Sequence, residues 1–123
     1  MKKPVHSRNK GQSGEREVFS ILSDLLGTVV KRNINARKGD PDGLDIPGYS
    51  CEVKRTEQWL EAYWEQAKAQ AEKYNRRPVL FWRKSRQQWT AYIDPADIGP
   101  FTPGLYRIAC SLEFFAMIVR ERL

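Results

Sequence analysis

Three charged side chains carry the chemistry that the sequence offers. Glu52-Val53-Lys54 lies in a run from Tyr49 to Arg55 that alternates as a strand does. That alternation puts Glu52 and Lys54 on one face and Val53 on the other. Asp45 stands across Pro47-Gly48, a strong turn signal, so a hairpin of residues 44–46 with 49–55 can bring it beside Glu52. Two carboxylates so placed are hard oxygen donors suited to Mg2+, which keeps several waters and takes few protein ligands. A cation there would acidify a water and offset charge developing on a phosphoryl oxygen. Lys54 could position the nucleophile or stabilise pentavalent phosphorus by its charge. A Glu-x-Lys triplet alone is equally a cross-strand ion pair, but this is the only one in the chain, and an Asp precedes it across a turn.

The elements that must hold these groups can be read from periodicity. Val18, Ile21, Leu22, Leu25 and Leu26 recur at helical spacing, with Ser13 able to cap and Gly27 able to close the helix. At about 100° per residue, Glu15 falls inside the apolar arc, a costly place for a carboxylate without a partner; a frayed helix start would also account for it. Residues 28–34, centred on Val29 and Val30, are expected as a strand, 35–41 as a loop and 44–46 as a short strand. A helix is expected over 57–75, with Leu60, Tyr63, Trp64, Ala67, Ala71 and Tyr74 on one face and Trp59, Gln66 and Gln70 on its flank. Strands at 79–82 and 88–93 flank the basic loop 83–86. A strand over 105–109 and a helix over Leu112–Arg122, apolar almost all round, close the chain. Such a helix is either buried or a subunit contact. The economical fold is α/β, one mixed sheet flanked by helices.

Charge separates the chain into three stretches. Residues 1–40 hold nine Lys/Arg against four Asp/Glu and residues 76–123 hold eight against four, whereas 41–75 reverse the balance with four against seven. Basic flanks attract phosphate backbones, and the acidic centre is where a cation would be held. No apolar run approaches the roughly 20 residues that span a bilayer. Two cysteines and one histidine argue against a disulfide scaffold or a structural zinc site. Cys51 alternates away from Glu52 and is read as packing. Trp64 and Trp82 are read as core, while Trp59 and Trp89 are left open between core and base stacking.

Taken together, these residues resemble the PD-(D/E)XK nuclease superfamily, and within it the phage-type Holliday junction resolvase-like nucleases. The resemblance covers about residues 8–93. Lys10-Gly11-x-x-Gly14-Glu15-Arg16-Glu17 is similar to the opening of those enzymes, with Arg32 ahead of a glycine-bearing loop. Gly43-Leu44-Asp45-Ile46 is similar to their acidic strand and Glu52-Val53-Lys54-Arg55 to their Glu-x-Lys strand. Trp64-Glu65-Gln66-Ala67 is similar to the helix whose glutamine points back to the site, and Pro78-Val79-Leu80 and Trp89 match the closing strands. It implies a restriction-endonuclease-like mixed central sheet flanked by helices, with an α-β-β-β-α-β core. The nuclease core is expected over 14–93, after a basic flexible arm at 1–13. A C-terminal extension at 94–123 would pack on the core or at a dimer interface.

The same resemblance implies Asp45, Glu52 and the Val53 carbonyl as ligands of Mg2+, with Mn2+ as a substitute. Lys54 becomes the catalytic lysine, Glu15 the helix acid near the metal or its water, and Gln66 a residue reaching the site. The Pro-Asp signature can also be read as Pro41-Asp42. Asp45 is preferred because Leu44 and Ile46 flank it in a strand-like run, whereas Asp42 sits beside a glycine in a loop. Lys10, Arg32, Arg37, Lys38, Arg55, Arg83, Lys84 and Arg86 are the expected DNA contacts. The expected function is a metal-dependent endodeoxyribonuclease that resolves Holliday junctions or other branched DNA in recombination by paired nicks. It would act as a homodimer, in the cytoplasm of a bacterial host, with a phage or prophage origin. A nuclease of flaps or nonspecific DNA, and a non-catalytic DNA-binding module, would use the same basic loops. The module alone would not need Glu15, Asp45, Glu52 and Lys54 to converge.

Overall fold

The computed structural model describes residues 5–122, with side chains described from Gln12 onward. Helix α1 (Val5–Leu26) is followed by a long connection over 27–48, strand β1 (Tyr49–Arg55), helix α2 (Glu61–Lys73) and strands β2 (Arg77–Arg83) and β3 (Thr90–Ile93). A short 3-10 turn (Pro95–Asp97), strand β4 (Ile108–Cys110) and helix α3 (Leu112–Arg122) complete the chain. The sheet order is β1-β2-β3-β4. β1 and β2 are parallel, with α2 as the crossover between them, and the other two pairs are antiparallel. The mixed α/β sheet flanked by helices is therefore present.

Alternation sorts the sheet into two unlike faces. Tyr49, Cys51, Val53, Val79, Phe81, Ala91 and Ile93 point into the larger core, where α1 contributes Val18, Phe19 and Leu22 and α3 contributes Leu112, Phe115 and Val119. Phe115 meets Tyr49 and Phe81 edge-on, at centroid distances of 5.0 and 5.4 Å. The other face is smaller: Leu80 packs on Trp64 and Ala67 of α2, with Trp59, Tyr63 and Tyr92 around them. By register, Glu52 neighbours Leu80, which neighbours Tyr92, so Glu52 and Lys54 lie on this second face.

Two expectations about regular structure are corrected. The strands expected at 28–34 and 44–46 do not form; the connection is extended and irregular. Val29 is 71% exposed and Ile34 75% exposed. Val30 alone of the first run is buried, held because its N–H donates to Ser23 Oγ of α1 at 2.8 Å. Gly27 does close α1, at φ +68°. α1 also starts at Val5, so residues 5–13 are helical instead of an arm capped by Ser13. Extending a formed helix costs far less per residue than nucleating one.

Gly14 shows why this helix can approach the sheet. A Cβ there would sit 3.3 Å from the Trp89 ring and 3.4 Å from Arg55 Cβ. At Gly43, in the connection, a Cβ would lie 2.7 Å from Phe19 Cζ, and Phe19 is buried in the core. Gly43→Ala therefore forces the ring out of its packing and should cost about 1–3 kcal/mol. Urea unfolding measures that loss; a midpoint equal to wild type would mean that Phe19 has room to move.

Candidate active site

The site is built where the connection returns to the sheet. Gly43 and Cys51 form an antiparallel bridge, with Cys51 N–H donating to Gly43 O at 3.0 Å and Gly43 N–H to Cys51 O at 3.2 Å. In that register the residue opposite Glu52 is Asp42. Its Oδ2 accepts from Val53 N–H at 2.8 Å, and its backbone carbonyl accepts from Asn33 N–H at 2.7 Å. Asp45 is too far along to face Glu52. It is exposed and accepts from Lys31 N–H at 2.9 Å. The expected Asp45–Glu52 pair is thus corrected to Asp42–Glu52: the Gly43 bridge sets the register, not the Pro47-Gly48 turn.

Glu52 is buried, Asp42 is half-buried, and each raises the cost of charging its neighbourhood. Burial, then the adjacent Glu52 and the further Glu15, holds the Asp42 carboxyl well above its ordinary range, against the pull of the Val53 N–H. Burial likewise lifts Glu52, opposed first by Lys54 and reinforced by the negative charge of Glu15. The Lys54 ammonium stands 3.8 Å from Glu52 Oε2. Glu15 enters from α1 and is paired with Arg32 at 3.3 Å. Its place on the inward edge of α1 is therefore matched by a partner.

Gln66 is exposed on α2, so the expectation that it reaches the site is also corrected. Gln70, one turn later, is buried, and its side chain favours the charged form of the Glu52 carboxyl. Its Oε1 is buried without a partner, as is Oγ of Ser50 on the same face of β1. The sequence placed both glutamines on the same helix flank. Only the packing of Trp64, Ala67 and Ala71 against the sheet decides which one turns inward.

The donor set can be tested against a divalent cation. Among the described residues no group of three or more His, Cys, Asp or Glu is placed to hold a metal ion. Mg2+ is ordinarily held by one or two carboxylates and several waters. Two opposed, partly desolvated carboxylates with a buried, unsatisfied amide oxygen beside them fit that pattern.

The basic residues surround this centre unevenly. Arg37 and Lys38 are exposed on the connection, whose Asp40 accepts from the Tyr74 hydroxyl, just past α2, at 2.7 Å. Lys84 and Arg86 are exposed between β2 and β3. Arg55 and Arg83 are paired residues at the ends of β1 and β2. Arg83, expected in the loop, ends β2 and is held by Glu17 at 2.6 Å, an oxygen that also accepts from Trp89 Nε1 at 2.7 Å. The Lys10 side chain lies outside the described residues. Trp64 and Trp89 are buried; Trp59 and Trp82 are only half-buried.

The family described as "Phage putative PDDEXK endonuclease" matches residues 6–100. Protein D14 of Escherichia phage T5 is 30% identical over 118 aligned positions, spanning 76% of this chain and 74% of that protein. Among solved structures, Hjc, a Holliday junction resolvase of the archaeal hyperthermophile Archaeoglobus fulgidus, superposes with a TM-score of 0.51 at 13% identity. That match covers 82% of this chain and 98% of Hjc, and the likeness is one of fold. Among the described residues no helix is long and apolar enough to cross a membrane.

Proposed function

We propose, from the premise that the chain belongs to the phage PDDEXK endonuclease family, that it is a Mg2+-dependent endodeoxyribonuclease acting on branched DNA. The observation that carries this reading is the convergence of Asp42, Glu52 and Lys54 at one end of the sheet. They come from a bridge and a strand that have no other reason to set a half-buried carboxylate against a buried one. Asp42 and Glu52 would hold the cation, with the Val53 carbonyl as a further donor, and Mn2+ could substitute. When bound, the cation supplies positive charge to the phosphoryl oxygen and favours ionisation of water.

The remaining work falls to the chain's own residues. Lys54 holds the attacking water near Glu52 and offsets charge building on phosphorus. Gln70 keeps the Glu52 carboxylate turned toward the site, and Glu15 orients water from the α1 side. The water oxygen bonds to phosphorus as the bond to the 3′ oxygen breaks, leaving a 5′-phosphate and a 3′-hydroxyl. Two nicks across a four-way junction require two such sites, hence a C2 homodimer. The partly exposed Phe114 and Met117 of α3 offer it an apolar surface. The setting would be the cytoplasm of an infected or lysogenic bacterium during DNA recombination.

A labelled synthetic four-way junction and a linear duplex, each with Mg2+ or with EDTA, test this. Paired symmetric nicks that need metal support the reading. Equal cutting of both substrates removes the junction from it, and tight binding without cutting leaves a DNA-binding module. Binding has its own signature. Four exposed cations, Arg37, Lys38, Lys84 and Arg86, should give a slope of about −3.6 in log affinity against log salt, or about a 150-fold loss between 50 and 200 mM. A flat response in a fluorescence anisotropy titration would remove these loops from the binding surface.

A further inference from the structure

The sheet face that carries Glu52 and Lys54 ends in a group of aromatic rings. Trp59, Tyr63, Trp82 and Tyr92 are all half-buried, and Leu60 beside them is exposed. The Tyr63 ring centre lies 5.6 Å from Lys54 Nζ. Trp59 stands edge-on to Tyr63 at 6.0 Å and to Trp82 at 5.7 Å, and lies tilted against Tyr92 at 4.6 Å. The polar ends of the indoles are fixed: Trp59 Nε1 donates to Glu61 and Trp82 Nε1 to Thr56 Oγ1, each at 2.9 Å. Arg107 lies 4.9 Å over Trp59 while bonded to both oxygens of Glu61, at 2.6 and 2.7 Å.

Core packing accounts for only part of this. Leu80, Trp64 and Ala67 form the buried centre of the small core and Trp59, Tyr63 and Tyr92 pack against it, but rings that merely sealed it would be covered. Here the two indoles are held in place by their polar ends, Tyr63 stands edge-on against Trp59, and part of the ring surface stays open next to the ammonium that stands 3.8 Å from Glu52. Rigid aromatic surface beside a phosphate-binding cation is the arrangement that stacks nucleobases. A base inside a duplex has both faces occupied by its neighbours. Only flaps, branch points and single strands offer a free face.

We infer that Tyr63, backed by Trp59, stacks on an unpaired base of the nucleotide whose phosphate reaches Lys54, so that the site takes DNA that is single-stranded beside the scissile bond. The inference rests on the nuclease reading and narrows its substrate. Basic loops bind phosphates in any DNA; a stacking ring distinguishes an open strand from a closed one.

The test compares two DNAs of one sequence, a linear duplex and the same duplex with a single-stranded flap, with 2-aminopurine at the unpaired nucleotide next to the junction. Wild type and Tyr63→Phe should both change the 2-aminopurine emission and prefer the flap. Tyr63→Leu should lose the emission change and about tenfold of the flap-to-duplex cleavage ratio. The ratio is the readout because removing the ring beside Lys54 alters both rates together. No emission change with wild type, or an unchanged ratio in Tyr63→Leu, overturns the inference while leaving a nuclease. If wild type cuts no DNA in Mg2+ or Mn2+, the nuclease reading fails instead. The emission measurement in EDTA still decides the stacking: a signal kept in Tyr63→Phe and lost in Tyr63→Leu supports it, and one equal in all three chains overturns it.

Discussion

Asp42→Asn should lower metal-dependent DNA cleavage about a hundred- to a thousandfold, the order expected when a group that stabilises transition-state charge is removed, whereas Asp45→Asn should leave it unchanged. The substitution is nearly isosteric and keeps an oxygen that can accept from Val53 N–H, the bond that orients Asp42 at 2.8 Å. The fold is therefore retained while the charge is lost. Asp45 stands away from Glu52, exposed and bonded to Lys31 N–H, so its loss touches neither the cation nor the nucleophile. Single-turnover cleavage of a labelled substrate in saturating Mg2+ separates the two residues. A large loss in Asp45→Asn with little in Asp42→Asn would move the acidic residue of the site from 42 to 45.

A second large effect belongs to stability. Asp42 and Glu52 oppose one another in a poorly hydrated place that makes charging both costly, a cost that a divalent cation held between them would offset. A ligand that binds only the folded chain stabilises it by about 2.7 kcal/mol at a hundred times its dissociation constant, roughly a 10 °C rise in midpoint for a domain of this size. Glu52→Gln should lose that rise, and its metal-free form should melt above metal-free wild type because one of the two opposed charges is gone. Differential scanning calorimetry with Mg2+ and with ionic-strength-matched NaCl measures both. An equal rise in Glu52→Gln would place the cation elsewhere.

The sequence made some of this legible and hid the rest for identifiable reasons. Helical spacing exposed α1, α2 and α3, and alternation exposed β1 and its pairing of Glu52 with Lys54 on one face, because those patterns follow from local geometry. Where the carboxylate partner lay did not. Val29, Val30 and Ile34 have strand propensity, but propensity does not set register. Register came from Gly43, whose missing side chain lets Phe19 approach, a contact between distant parts of the chain. Gln66 and Gln70 posed the same problem: four residues apart on a helix, they differ in direction by only about 40°. The fit of α2 against β1 and β2 decides between them. The aromatic group beside Lys54 was visible only as a list of tryptophans, two expected in the core, and its arrangement depends on β1, β2, β3 and α2 meeting.

The bridge at Gly43 and Cys51 also separates two jobs along the chain. Everything that places Asp42 opposite Glu52 lies on one side of it, while Pro47 and Gly48 form an exposed tip on the other. Extra residues inserted at such a tip cost little, since loop-closure entropy grows only slowly with length. A short insertion between Pro47 and Gly48 should therefore leave the carboxylates at their spacing, provided that the Gly48 carbonyl keeps its bond from Arg77 N–H.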